Sequence, residues 1–184
     1  MARIRPLRPD ELTDAQRPLY DVIVGGPRAQ GPQHFALTAS DGSLRGPFDA
    51  LLLSPAVGTA LQELGAAVRY STQLTDRARE LAILLVAARW RSSFERDSHE
   101  AIARALGFTD VELAALQDED ARPFGGTELL VARTVLGLLD GDLDDALWAE
   151  ASAAIGEQVM FELTTLVGYY STLALQLRVF RVES

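Results

Sequence analysis

The chain has no cysteine. That absence removes disulfides, thiolate nucleophiles, iron–sulfur ligation and zinc–thiolate sites together, and with them thiol-dependent peroxide reduction, whose nucleophile is the thiolate. Imidazole is nearly as scarce. His34 and His99 are the only two histidines, and neither stands in an H-E-x-x-H or H-x-H spacing, so no metal is assigned. No Gly-rich phosphate loop follows a strand and no serine nucleophile elbow is present, which leaves nucleotide cofactors and serine-hydrolase chemistry unsupported. No cofactor is expected. Uninterrupted apolar runs of membrane-spanning length are missing too. Arg3, Arg5 and Arg8 make the first residues basic, but Pro6 and Pro9 interrupt them and no apolar segment follows, so a secretory signal is not expected. Basic charge is in deficit: 17 Lys and Arg against 26 Asp and Glu give −9, which opposes any non-specific grip on nucleic acid or anionic lipid. A cytoplasmic protein without nucleic-acid or membrane partners is the expectation.

What is present is helical. A chain of 184 residues that is 48% hydrophobic suits one domain with its own core. We expect residues 1–45 to supply an N-terminal helix and a long loop, and 46–184 a helical core. Asp10 to Val24 reads as an amphipathic helix broken by Pro18. Gly25 to Gly46 has no sustained period and reads as loop, with His34 in it as a solvated side chain. Gly46-Pro47-Phe48 opens a short helix, and Ser54-Pro55 opens a longer one ending near Tyr70 whose inward stripe is Val57, Leu61, Leu64 and Val68. Beyond the centre of the chain, Thr109-Asp110-Val111-Glu112 is a capping box before a short helix. A helix through Leu129, Val135 and Leu139 stops at Gly141, another surrounds Leu147 and Trp148, and the last runs from Gln158 to Phe180. Apolar residues on several faces of that last helix imply burial on several sides and a homo-oligomer. No stretch alternates as a strand does, so the expected class is all-α.

The stretch that carries chemistry is a helical hairpin at 75–107. Thr75 serves as an N-cap before Glu80, Leu81, Leu84, Leu85 and Ala88; a second helix starts near Ser92 and stops at Gly107. Glu95 and His99 are four residues apart and share a helix face, so the carboxylate can orient the ring. Each has a bland reading as well. Ser92 with Glu95 fits a capping box, Glu80 fits a first-turn acid favoured by the helix dipole, and His99 fits a core histidine satisfied by Glu95.

These spacings resemble the carboxymuconolactone decarboxylase and alkylhydroperoxidase D-like family. In its redox branch the Glu of an E-L-A segment precedes a C-x-x-C pair and a His, and the matching positions are Glu80, Ser92, Glu95 and His99. With both cysteines replaced, Ser93-Phe94-Glu95 and His99-Glu100 look like the decarboxylase-type branch, in which Arg96 stands where a Trp is usual. Gly46-Pro47-Phe48, Leu53-Ser54-Pro55 and Val167-Gly168-Tyr169-Tyr170 extend the likeness from about Leu44 onward. The resemblance implies an all-α, alkylhydroperoxidase D-like helical bundle and a decarboxylase-like, cofactor-free acid/base lyase acting on a small organic acid or lactone. Within it His99 would be the acid/base, Glu95 its orienting partner and Glu80 a second relay. Trp90, Phe48, Tyr169 and Ser92 are candidate pocket walls. The alternative is a non-catalytic bundle of the same fold that binds a ligand or partner.

Overall fold

The computed structural model describes residues 2–26, 29–30 and 36–182; His34 lies outside them. After a 3-10 turn at Pro9–Glu11, the α-helices in chain order are α1 (Arg17–Gly25), α2 (Pro47–Leu51), α3 (Pro55–Tyr70), α4 (Asp76–Trp90), α5 (Ser93–Ala105), α6 (Asp110–Gln117), α7 (Gly126–Asp140) and α8 (Asp145–Phe180). The only extended pairing among the described residues is one antiparallel bridge between Thr38 and Leu44, and the class is all-α. None of these helices is long and apolar enough to cross a membrane. The chain divides into two compact units, 1–67 with 175–184, and 68–174.

The first unit is built on an apolar cluster of Leu12, Leu19, Tyr20, Ile23, Leu37, Leu44, Phe48, Leu51 and Leu52. Two expectations are corrected here. Pro18 does not break a helix over Asp10 to Val24; it sits in the first turn of α1, where its missing N–H would have had no partner in any case. On α3 the inward residues are Gly58, Gln62 and Gly65 along with Val68, whereas Val57 is 63% and Leu64 38% exposed. The reason is steric. A Cβ built on Gly58 would lie 2.2 Å from the Leu51 carbonyl oxygen, so only glycine lets these backbones approach, and that approach turns the larger apolar side chains outward. Among the described residues of this unit one acid is buried. Asp49 accepts a hydrogen bond from the Leu7 amide at 3.1 Å, and burial pushes its carboxyl above the usual range.

The second unit is organised around α4. Thr75 caps it through the Ala78 amide, and every residue from Glu80 to Ala87 is buried, so the middle of this helix has no solvent face and its arginines lie toward the two ends. It packs chiefly against α5 and α7, then α6. Arg91, in the left-handed region at φ 52°, turns the chain sharply between α4 and α5. A non-glycine residue there costs on the order of 1 kcal/mol, which the packed hairpin must offset. The expected stop of α7 is present, with Gly141 at φ 105°. α8 is broken at Gly156 (φ 82°, ψ 154°), which separates the Leu147 segment from the final helix as anticipated. In that final helix Leu163, Leu166, Val167, Tyr170, Leu173, Ala174 and Leu177 are buried and Val159 is half-buried; Phe161 is 73% exposed.

Candidate active site

Glu80, Glu95 and His99 come together in the second unit. His99 is 5% exposed, Glu80 2% and Glu95 4%. The imidazole is held from both edges: Nδ1 lies 2.6 Å from a Glu80 carboxylate oxygen, and Nε2 lies 3.5 Å from Glu95. The closer partner is therefore Glu80, reaching across from α4, and not the i−4 neighbour on the same helix. An imidazole facing two carboxylates can donate from both nitrogens only as imidazolium. Burial disfavours that charged form, but the field of Glu80 and hydrogen bonding to Glu80 and Glu95 outweigh it, and the net effect raises the His99 pKa.

The helix starts explain why Glu95 is available. Ser92 is the N-cap of α5, yet its side chain accepts no capping hydrogen bond; Glu95 is turned inward instead, and its Oε1 is buried with no hydrogen-bond partner among the described residues. The capping-box reading of Ser92 and Glu95 is thereby set aside. Arg96 is exposed and pairs with Asp97, so the departure from Trp at that position faces away from the buried cluster.

Two residues complete the cluster that sequence reasoning did not select. Arg69, near the end of α3, places Nη1 3.7 Å from the second Glu80 oxygen, and its guanidinium also interacts with the Tyr170 hydroxyl. Tyr170 sets its ring edge-on to His99, with centroids 5.4 Å apart at 85°. With His99 protonated, two cations and two carboxylates balance, which is what a charged cluster in a low-dielectric site requires. Tyr170 stood in the quoted Val167–Tyr170 segment, but nothing in the local pattern separated it from Tyr169. Arg69 carried no local signal at all.

Glu80 also forms part of the wall of a cavity of about 380 Å³ lined by Arg69, Tyr70, Asp76, Arg79, Glu80, Ile102 and Leu106. His99 does not line it. None of the four candidate pocket walls does either: Phe48 is in the apolar cluster of the first unit, Tyr169 is buried against Tyr170, and Ser92 is the half-buried cap of α5. Trp90 lines a second cavity of about 390 Å³ with Arg89, Leu138, Leu139, Gly141, Thr164, Val167, Gly168 and Ser171. Among the described residues no group of three or more His, Asp or Glu side chains is arranged to hold a metal ion.

An all-helical protein with a buried acid/base cluster strung across a helical hairpin is the class that fold and geometry define. The family model described as the carboxymuconolactone decarboxylase family matches residues 55–138, and over that stretch the chain is similar to this family. The match takes in Arg69, Glu80, Glu95 and His99; Gly46-Pro47-Phe48 and Val167–Tyr170 lie outside it. No curated protein matches the chain.

Proposed function

We propose that the protein is a cofactor-free, carboxymuconolactone decarboxylase-like lyase that handles protons on a small organic acid or lactone. The observation that supports this most is the double position of Glu80, which bonds His99 at 2.6 Å and also walls the cavity. In such a reaction the bond between a substrate carbon and its carboxylate breaks, carbon dioxide leaves, and the electron pair spreads into a dienolate that must then be protonated on carbon. His99 holds the proton, Glu80 delivers it at the cavity wall, and Glu95 steadies the imidazolium from the far side. This order differs from one in which His99 touches substrate directly, because His99 has no face on the cavity. A positioned acid of this kind accelerates proton transfer by roughly 10² to 10⁴-fold.

The test is carbon dioxide release from a panel of small unsaturated carboxylic and lactone acids. Glu80→Gln and His99→Gln are expected to lose on the order of 10²-fold or more in rate, and Glu95→Gln less. Release that persists undiminished in Glu80→Gln overturns the assignment. The burial of His99 away from the cavity also favours a second reading, a non-catalytic ligand-binding protein, and wild-type protein inert toward the whole panel would support that instead. The reading includes a homo-oligomer, since Val57 and Leu64 on α3 and Phe161 on α8 are large apolar side chains left exposed. Light scattering at the 20.0 kDa mass of one chain would count against it.

A further inference from the structure

The two arginines that line the Glu80 cavity are not equivalent. Arg79 has its terminal nitrogens committed, Nη1 to Asp76 at 2.7 Å and Nη2 to the Leu74 carbonyl at 3.0 Å. Arg69 engages the Tyr170 hydroxyl, which takes only part of its fork. Its approach to Glu80, at 3.7 Å, is an ion pair too long for a hydrogen bond, and a guanidinium has five N–H donors in a planar fork that matches a carboxylate. Beyond the charged residues, Ile102 on α5 and Leu106 at its C-cap give the cavity an apolar wall. Its four charged lining residues, Arg69, Arg79, Asp76 and Glu80, sum to zero, so a single added negative charge is tolerable next to Arg69 whereas a dianion would face both carboxylates. A volume of about 380 Å³ falls at the small end of ligand pockets.

We propose that this cavity binds a short amphipathic monocarboxylate, with Arg69 as the residue that selects the carboxylate and Ile102 and Leu106 receiving the apolar body. The inference rests on the acid/base reading of Glu80 only for its catalytic consequence; binding stands on the geometry alone. The incoming carboxylate takes over the Arg69 fork, and Glu80 keeps its shorter bond to His99. Ligand and proton donor are thus brought to neighbouring positions on one wall.

The experiment is a methyl NMR titration of the full chain with benzoate, its neutral isostere benzamide, and inorganic phosphate. Benzoate is expected to shift the Ile102 and Leu106 methyl signals saturably, while benzamide and phosphate leave them in place. Arg69→Met should weaken benzoate binding by roughly tenfold or more, Arg69→Lys by less because it keeps the charge and loses the fork, and Arg133→Met, at an exposed pair with Glu150 outside the cavity, should not change it. Equal shifts with benzamide, no benzoate-dependent shift at either methyl, or wild-type titration in Arg69→Met overturns the proposal. The wild-type comparison decides the matter even if an Arg69 variant does not fold. The titration also separates this inference from the lyase reading. Benzoate selectivity together with carbon dioxide release indifferent to Glu80→Gln would sink the lyase and leave the carboxylate site standing.

Discussion

Helices α5 and α6 begin with the same pattern, a hydroxyl residue followed three positions on by glutamate, and the two glutamates are used in opposite ways. At α6, Glu112 accepts from the Thr109 amide at 2.7 Å while the Thr109 hydroxyl accepts from the Glu112 amide at 3.2 Å, and Arg77 joins from the side at 2.9 Å. There the carboxylate is fully engaged, capping α6 and tying it to Arg77 of α4. At α5 the cap is left unmade, and Glu95 is taken inside to face His99 with one oxygen unpartnered. Leaving a buried carboxylate oxygen unsatisfied costs on the order of 1 to 3 kcal/mol, and nothing in the helix recovers it. A protein that forgoes a cap to bury an acid beside an imidazole bears a local cost of the kind found at sites of function.

The largest effect should come from removing the partner that holds His99. Glu80→Ala leaves the buried His99 and the half-buried Arg69 without their shared carboxylate, and is expected to cost about 3 to 5 kcal/mol in denaturant melts; a loss below about 1 kcal/mol would mean the cluster is wetter and looser than its burial indicates. Next, the two caps can be compared directly. Thr109→Ala should cost about 1 kcal/mol and Ser92→Ala no more than a few tenths, because only the first removes a capping bond. Equal costs would restore the capping box at α5 and weaken the case for Glu95. The smallest effect is the pH dependence. Because the folded-state pKa of His99 is raised, its contribution is fully present below the ordinary histidine value of about 6.5 and is lost as pH rises through the folded-state pKa. Wild-type Tm should therefore fall, relative to His99→Gln, as pH rises above that value. A difference that is flat, or grows with pH, contradicts the imidazolium.

How much of this was readable in the chain differs by residue. Thr75, Thr109 and Gly141 act within one or two turns, so their patterns alone located those helix ends. Glu80 and His99 could be singled out as acid and imidazole in an apolar context, but the bond between them joins residues 19 apart on different helices. Periodicity is blind to that, and it favoured Glu95, the neighbour on the same helix face. Arg69 was invisible, since an arginine near a helix end is ordinary until a buried carboxylate is found beside it.

By itself, then, the sequence determined the all-α class, the positions of most helix ends, the absence of thiol chemistry and the hairpin on which the polar cluster lies. These follow from local backbone preferences, side-chain period and composition. Only the tertiary structure decided that α3 turns Gly58, Gln62 and Gly65 inward, that Glu95 gives up its cap, and that Glu80, not His99, meets the cavity. Each of those outcomes depends on how closely two elements approach and on which side chains are left without water, and neither is encoded in the spacing of residues along one helix.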